Sequence, residues 1–273
     1  MMRVPFSPEG IHQGPLVLVN GRWALPGQGG QDLCPVPASG QGDREMNPAL
    51  SREAVTLNRL ALAALTALVE RVGGWGSILA VSGWRSREEQ QGIWQDTVAQ
   101  RGLDFARTYV ARPGHSEHQS GWAVDLALNQ PPIDFISPAF PYRGVCQALR
   151  RRAPAYGFVE RYPAGKEMVT GIGHEPWHFR YVGVPHGQIM AGLGLTLEEY
   201  LDFLRGFPHG KRAYRWAAGG VQALISYVGL REAQQMPPQL GVEEDYEISG
   251  DNREGFILTQ WMDAGGGTAG GGR

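Results

Sequence analysis

The sequence has few cysteines and no long apolar run. Its two cysteines, Cys34 and Cys146, are too few and too widely separated to indicate a disulfide framework. No window approaches the stretch of about 20 apolar residues that a membrane-spanning helix needs. The first five residues lack the apolar segment of a signal peptide. These absences predict a cytoplasmic chain, unless it is exported by a route that the sequence does not encode or is a processed form.

The chain also lacks a strong excess of charge of either sign. Its 25 basic and 27 acidic residues give a formal net charge of −2, which gives no reason to expect nucleic acid or an anionic membrane as a partner. With 42% hydrophobic and 19% charged residues, the composition is typical of a globular protein, and 273 residues allow one or two domains. The 39 glycines and 19 prolines indicate many turns and long loops.

Apolar spacing predicts an α+β protein in which helices and strands do not alternate strictly. Residues 1–50 are rich in loops, with one apolar run at 16–19 that we interpret as a strand ending at Asn20-Gly21. Ser51 is the expected N-cap of the first helix. The predicted helices span residues 51–72, 85–101 and 144–153, and the predicted strands span 78–82, 122–128 and 176–182.

The pattern changes after about residue 185 and predicts a small β-rich region. A helix is expected at 196–204, and the apolar segments 246–249 and 255–259 flank a turn, as in a hairpin. We therefore predict three parts. They are a main domain with a loop-rich N-terminal extension (1–190), a β-rich C-terminal region (191–263) and a disordered glycine-rich tail (264–273).

Two short segments about fifty residues apart carry the chemistry. Residues 114–125 contain His118 and Asp125, and residues 174–181 contain Glu175 and His178. They supply two imidazoles and a carboxylate suited to a tetrahedral zinc, plus a second carboxylate. Three protein ligands with an open fourth position are the layout of a catalytic zinc site. Because a carboxylate beside such a site can take the proton of the attacking water, the segments predict a zinc hydrolase.

Each segment also has a non-functional interpretation. The first can be a turn in which Asp125 caps backbone groups while His118 is exposed. The second can be an aromatic core strand with a hydrogen-bonded histidine. Glu175 and His178 are three residues apart, which a straight strand would place on opposite faces. Pro176 between them predicts irregular backbone or a strand start, and either would let both side chains face one cavity.

The motifs resemble the zinc D-alanyl-D-alanine carboxypeptidases of the VanY type over roughly residues 16–185. This family shares a fold with the vancomycin-resistance D,D-dipeptidases and the zinc domain of hedgehog signalling proteins. The matching motifs are Ser82-Gly83-Trp84-Arg85-Ser86-x-x-x-Gln90, Ser116-x-His118-x-x-Gly121-x-Ala123-x-Asp125, Tyr156-Gly157-Phe158, Arg161-Tyr162-Pro163 and Glu175-x-Trp177-His178-Phe179-Arg180-Tyr181. The resemblance implies an antiparallel sheet with flanking helices.

The resemblance also implies the metal site and its base. Zn²⁺ would be held by His118, Asp125 and His178, with Glu175 acting first as general base and then as general acid.

Three further residues receive roles from the resemblance. Arg85 would stabilise the oxyanion of the tetrahedral intermediate, a role that suits a fixed guanidinium. Ser116 and Gln90 would hold the terminal alanine of the substrate.

The implied function is removal of the terminal D-alanine from peptidoglycan stem peptides or their precursors, which would be the partners of this chain. Three alternative activities would use the same metal site, and the motifs do not separate them. They are those of an L,D-carboxypeptidase, a D-Ala-D-Ala dipeptidase and a wall endopeptidase. A non-catalytic, zinc-containing wall-binding module is the alternative from another class. The C-terminal region would be a binding module or a brace. Export would place such an enzyme at the cell wall.

Other residues with chemical potential receive structural interpretations. We expect His12, His186 and His209 to be exposed, because they lie in loop-like sequence. Arg150–Arg152 lie near a predicted helix end, where cations suit the helix dipole, and should form a solvated face. Trp122 should pack in the core, since alternation turns it away from Asp125.

Overall fold

The computed structural model describes residues 4–37, 54–236 and 246–262. The chain divides into two units, one of Leu18–Glu198 and one that joins Met1–Val17 to Glu199–Arg273. Within the described ranges, no helix has both the length and the apolar character to cross a bilayer.

The unit Leu18–Glu198 is built on an antiparallel sheet with flanking helices, as predicted. Its helices are α1 (Arg59–Arg71), α2 (Arg87–Arg101), α3 (Leu103–Tyr109), α4 (Gly144–Arg152), α5 (Glu167–Thr170) and α6 (Val184–Leu193). Its strands are β1 (Leu33–Pro35), β2 (Thr56–Asn58), β3 (Ile78–Ser82), β4 (Ala123–Leu128), β5 (Phe158–Tyr162) and β6 (Glu175–Tyr181). The main sheet has the order β3-β4-β6-β5, and β1 pairs with β2 separately.

The middle of the main sheet is buried on both faces. Every residue of β3 is buried, as are the first five of β4, so both strands are almost continuously apolar. Leu79, Val81, Ala127 and Ile133 form one core cluster beside them. Asp125 interrupts this apolar pattern in β4. A carboxylate at such a depth needs polar partners, because burial of an unpaired charge is costly.

Helix α2 has a complete set of end signals. The Ser86 hydroxyl accepts from the Glu89 backbone N–H at 3.0 Å, and the Glu89 carboxylate accepts from the Ser86 N–H at 2.6 Å. This capping box starts the helix at Arg87, two residues after the predicted start. Gly102, with φ +88°, ends it as predicted.

The structure corrects two predictions near the N-terminus. The apolar run 16–19 is buried but is not a strand, because the Leu16 N–H donates to the Ser249 hydroxyl at 2.9 Å instead of joining a ladder. Helix α1 begins at Arg59 rather than near residue 51, and the Asn58 side chain caps it. The predicted cap Ser51 lies outside the described residues.

The second unit contains a four-stranded antiparallel sheet in the order β7-β8-β10-β9. Its strands are β7 (Tyr214–Ala218), β8 (Val221–Gly229), β9 (Tyr246–Gly250) and β10 (Gly255–Met262), with the short helix α8 (Leu230–Ala233). Helix α7 (Leu197–Leu204) spans the boundary between the units. Pairing of Phe256 with Gly250 confirms the predicted hairpin. The predicted tail 264–273 lies outside the described residues.

Candidate active site

The main sheet brings Asp125 and His178 together. They are directly paired residues of the neighbouring strands β4 and β6. Side chains at paired positions of antiparallel strands lie on the same face, so the register itself places the carboxylate against the imidazole. The Asp125 Oδ1 atom lies 2.8 Å from Nδ1 of His178. Pairing of β4 with β6 therefore brings together the two sequence segments that were predicted to form one site.

His118 enters the same cluster from a 3-10 turn, Glu117–Ser120, that precedes β4. Gly121 follows with φ +80°, a left-handed conformation that glycine adopts without strain and that turns the chain into the strand. The His118 Nδ1–H donates to the Gly83 carbonyl at 2.6 Å, since a carbonyl only accepts. Its Nε2 is then left as the bare nitrogen, 3.0 Å from Oδ2 of Asp125. Burial, followed by the nearby Arg85, lowers the pKa of His118 to about 4.

His178 uses both of its ring nitrogens. Nδ1 faces Asp125 and lies 3.9 Å from the Glu175 carboxylate, whereas Nε2 lies 3.4 Å from the carboxylate of Glu117. Burial lowers the pKa of His178, but hydrogen bonds to Asp125 and Glu117 outweigh it and raise the pKa to about 9. The same two histidines hold the pKa of Asp125 well below its usual range against the opposing effect of burial.

The nitrogen and oxygen atoms of this cluster are suitable ligands for a metal ion. One ligand atom each from His118, Asp125 and His178 can be chosen so that all three lie within 4.8 Å of one another, and all three residues are buried. Two imidazoles and a carboxylate are ligands that suit Zn²⁺, and the hydrogen bond from Nδ1 of His118 fixes which of its nitrogens is available. No other group of three such residues in the described ranges meets this criterion.

Glu175 is the first residue of β6 and lies beside the cluster. Pairing of β5 with β6 is irregular between Glu160 and Tyr162, and Glu175 pairs with Tyr162 beyond this shift. Glu175 and His178 are three residues apart, a spacing that would place them on opposite faces of a regular strand. In this irregular stretch their side chains lie 3.9 Å apart. Burial raises the pKa of Glu175 to about 8, with a smaller contribution from Asp125 in the same direction, while His178 acts against it. The carboxyl therefore changes protonation near neutral pH.

The cavity beside this cluster has a volume of about 40 Å³. Arg85, in the loop between β3 and α2, lines it with its side chain 15% exposed and Nη2 4.0 Å from Oδ2 of Asp125. Within the part of the chain that the structure describes, Nε of Arg85 has no hydrogen-bond partner. A buried guanidinium N–H without a partner is suited to bind an anionic oxygen in the cavity.

Ser116 and Gln90 line the same cavity and are both buried. The Gln90 amide N–H donates to the Ala111 carbonyl at 2.7 Å. Its amide oxygen has no partner among the described residues. Apolar and aromatic side chains form much of the remaining wall: Ile93, Tyr109, Val110, Phe135, Ile136, Tyr162, Ile172 and Trp177. The cavity thus combines an apolar wall with a few polar groups.

Glu117, which is not among the predicted site residues, is buried and contacts His178. Its only signal is its position next to His118, which does not distinguish an exposed from a buried carboxylate. Arg161 and Arg180 were noted within the motifs but given no role, and both pair with Glu117.

Three structural interpretations are also settled. Arg151 and Arg152 are exposed as predicted, but Arg150 is not on a solvated face: its guanidinium lies 2.5 Å from Glu160 and donates to the Pro176 carbonyl at 2.8 Å. His186 is buried in α6 rather than exposed, and burial lowers its pKa to about 3. Trp122 is buried as expected and stacks on Tyr181 with ring centroids 5.7 Å apart.

The other two histidines differ less from expectation. His12 and His209 are partly buried. Nδ1 of His12 lies 2.5 Å from the Asn252 side-chain oxygen, and Nδ1 of His209 lies 2.9 Å from the Ser226 hydroxyl.

Comparisons with known proteins point to one family. A family model described as VanY, D-alanyl-D-alanine carboxypeptidase, matches residues 54–184. The bifunctional D-Ala-D-Ala dipeptidase and D-Ala-D-Ala carboxypeptidase VanXYC of Enterococcus gallinarum is 42% identical over 138 residues, which cover 50% of this chain and 73% of that protein.

Two solved structures are also similar. The vancomycin-resistance D,D-dipeptidase VanXYg, in complex with a D-Ala-D-Ala phosphinate analog, has a TM-score of 0.79 and 40% identity, covering 92% of this chain and 95% of that one. The D,D-pentapeptidase VanY from a VanB-type resistance cassette, in complex with Zn(II), has a TM-score of 0.50 and 30% identity, covering 68% of this chain and 98% of that one.

Proposed function

The chain belongs to the VanY family of D-alanyl-D-alanine carboxypeptidases, and we propose that it removes the C-terminal D-alanine of peptidoglycan stem peptides with zinc held by His118, Asp125 and His178. The comparisons confirm the family that the motifs predicted. The chain is therefore a hydrolase, a peptidase that removes D-alanine from peptidoglycan substrates. The single observation that carries the residue assignment is the buried set of three ligand atoms within 4.8 Å of one another.

Zinc at this site would polarise the scissile carbonyl and lower the pKa of the attacking water. Nε2 of His118 and Nδ1 of His178 are the nitrogens that face Asp125 and would hold the ion. The Gly83 carbonyl keeps His118 in the required tautomer by accepting its Nδ1–H.

Glu175 moves the proton in this proposal. Its carboxylate takes a proton from the attacking water and returns it to the amine nitrogen of the departing alanine. Burial raises the pKa of this carboxyl, so it holds a proton more readily than an exposed glutamate, as a group that acts as base and then as acid requires. The side chains of Phe135, Ile136 and Trp177 form an apolar wall beside this exchange.

Arg85 stabilises negative charge on the substrate. As the scissile carbonyl becomes tetrahedral, its oxygen gains charge, and the Nε–H of Arg85, which has no hydrogen-bond partner among the described residues, is suited to donate to it. Ser116 and Gln90 bind the terminal alanine in this proposal, through the hydroxyl and through the amide oxygen that lacks a partner within the described ranges. All of these residues lie in the unit Leu18–Glu198. We therefore assign catalysis to the predicted main domain 1–190 and no chemical step to the region 191–263.

A panel of three peptides tests the substrate. Zinc-loaded protein is incubated with a stem pentapeptide ending in D-Ala-D-Ala, the corresponding tetrapeptide and free D-Ala-D-Ala, and products are identified by mass spectrometry. The proposal predicts loss of one alanine from the pentapeptide. Preferential cleavage of the tetrapeptide would indicate an L,D-carboxypeptidase, and cleavage of the dipeptide alone a dipeptidase. Zinc binding with no cleavage of any peptide would support the wall-binding module.

A further inference from the structure

Glu117 is a fully buried carboxylate that contacts the far side of His178. Its Oε2 atom lies 3.4 Å from Nε2 of His178, the ring nitrogen that faces away from Asp125. Its Oε1 atom lies 2.7 Å from Nε of Arg161 and 2.8 Å from Nη1 of Arg180. The side chains of Glu117, Arg161 and Arg180 have 0% exposure.

A second carboxylate completes this ion network. Arg161 donates through both terminal nitrogens to Glu198, at 2.9 and 2.7 Å, in a bidentate pair. The Asn20 amide also donates to Glu198 at 3.0 Å. The network therefore contains two carboxylates and two guanidiniums, whose formal charges cancel. Buried charges persist when they are paired and hydrogen-bonded in this way.

The contacts of Glu117 decide which nitrogen of His178 faces it as a hydrogen-bond donor. Two guanidiniums, those of Arg161 and Arg180, contact Oε1 of Glu117, so the group is paired as a carboxylate. An ionised carboxylate only accepts hydrogen bonds, so Nε2 of His178 must be the donor. With Nε2 committed to Glu117, Nδ1 is the nitrogen that would serve as ligand when a metal ion lies among His178, Asp125 and His118.

We propose that Glu117 is a positioning residue that fixes the orientation and tautomer of His178 for metal binding, and that the ion network with Arg161, Arg180 and Glu198 holds Glu117 in place. This inference rests on the proposed function for the identity of the metal. Histidine ligands are commonly oriented by a carboxylate that accepts from the other ring nitrogen, and loss of such a partner typically weakens metal binding by about 10- to 100-fold.

The network links distant parts of the chain to the metal site. Glu117 comes from the turn before β4, Arg161 from β5, Arg180 from β6 and Glu198 from the first turn of α7. None of the last three lines the cavity. The network can therefore change metal affinity without any contact between these three residues and the substrate.

The first test is the zinc dissociation constant of Glu117→Gln, measured by competition with a chromophoric chelator and without any peptide. The proposal predicts zinc binding about 10- to 100-fold weaker than in the wild type. Glu160→Gln is the matched control, because Glu160 is a partly buried β5 carboxylate that pairs with Arg150 rather than with His178. We expect its zinc affinity to stay within about twofold of the wild type. Equal zinc affinity in Glu117→Gln and wild type would overturn the proposal.

The second test needs no variant of the network and so does not depend on whether Glu117→Gln folds. Long-range ¹H–¹⁵N correlation spectra of the zinc-loaded wild type report the protonation of each ring nitrogen, with His178→Gln used to assign the signal. We expect a proton on Nε2 and none on Nδ1. A proton on Nδ1 would contradict the inference. Because neither test uses turnover, a failure of the proposed substrate would leave both results interpretable.

Discussion

Nδ1 of His178 and Oδ1 of Asp125 lie 2.8 Å apart at a directly paired position of β4 and β6, although the residues are 53 positions apart in sequence. A shift of one residue in this register would move one of the two side chains to the opposite face of the sheet. The geometry of the candidate metal site therefore depends on the correct pairing of the two central strands.

Removal of metal should abolish activity reversibly. Dialysis against a strong chelator, followed by one equivalent of Zn²⁺, should remove and then restore alanine release from a stem pentapeptide. His118→Ala should bind less than one zinc per chain, measured by atomic absorption, because it lacks one of three ligands. His174→Gln is the control: His174 precedes Glu175 but is not in the ligand set, so its zinc stoichiometry should equal that of the wild type. Full activity after complete metal removal would exclude the proposed mechanism.

Arg85→Lys should lower kcat while zinc affinity stays unchanged. A lysine keeps the charge but loses the planar N–H fork, and loss of one oxyanion donor costs roughly 10²- to 10³-fold in kcat. The measurement is steady-state kinetics on the pentapeptide. Arg87→Lys, two residues along the chain and exposed, is the control and should keep its kcat. A wild-type kcat in Arg85→Lys would remove the oxyanion role.

Ser116→Ala and Gln90→Ala should act mainly on KM. Each residue is proposed to contribute one hydrogen bond to the terminal alanine, and a net hydrogen bond of about 1 kcal/mol corresponds to a roughly fivefold rise in KM. Circular dichroism on the same samples checks that the fold is retained. A fall in kcat with no change in KM would instead place the residue in the chemical step.

Local signals in the sequence were sufficient for several elements. Ser86 and Glu89 carry the capping box of α2, and Gly102 ends that helix. The turn between β9 and β10 was visible because polar and glycine residues separate two apolar segments. His118 and His178 were identified because their motifs are short and specific.

Features that depend on contacts between distant parts of the chain could not be predicted from local sequence signals. The run 16–19 has a strand composition, yet the Leu16 N–H bonds to a serine side chain more than 200 residues later in the chain. Helix α6 was missed because it is apolar around most of its circumference and shows little periodicity. Glu117 and Arg150 have the sequence signature of surface residues, and only long-range pairing shows that each is enclosed.

The ion pair between Arg161 and Glu198 should make the fold sensitive to acid. Burial raises the pKa of Glu198, but Arg161 outweighs it and lowers the pKa below its ordinary value. A depressed folded-state pKa contributes stability above the unfolded-state pKa of about 4.3, and this stability is lost as pH falls toward the folded-state value.

Glu198→Gln tests this expectation. At pH 7 it should reduce the free energy of unfolding in urea by about 2 kcal/mol, because it removes one of the two carboxylates that pair with the buried Arg161 guanidinium. Below about pH 4.5 the difference from wild type should shrink, since the wild type then loses the same interaction. Parallel pH profiles for the two proteins would refute this assignment.

The most direct test of the account compares D-alanine release from a stem pentapeptide by the wild type and Glu175→Gln, each loaded with one zinc per chain. Because the variant keeps the three ligands but cannot take up the proton, we expect its rate to fall roughly 10²- to 10⁴-fold at equal zinc occupancy. Equal rates in the two proteins, or no release by the zinc-loaded wild type, would contradict the proposed mechanism.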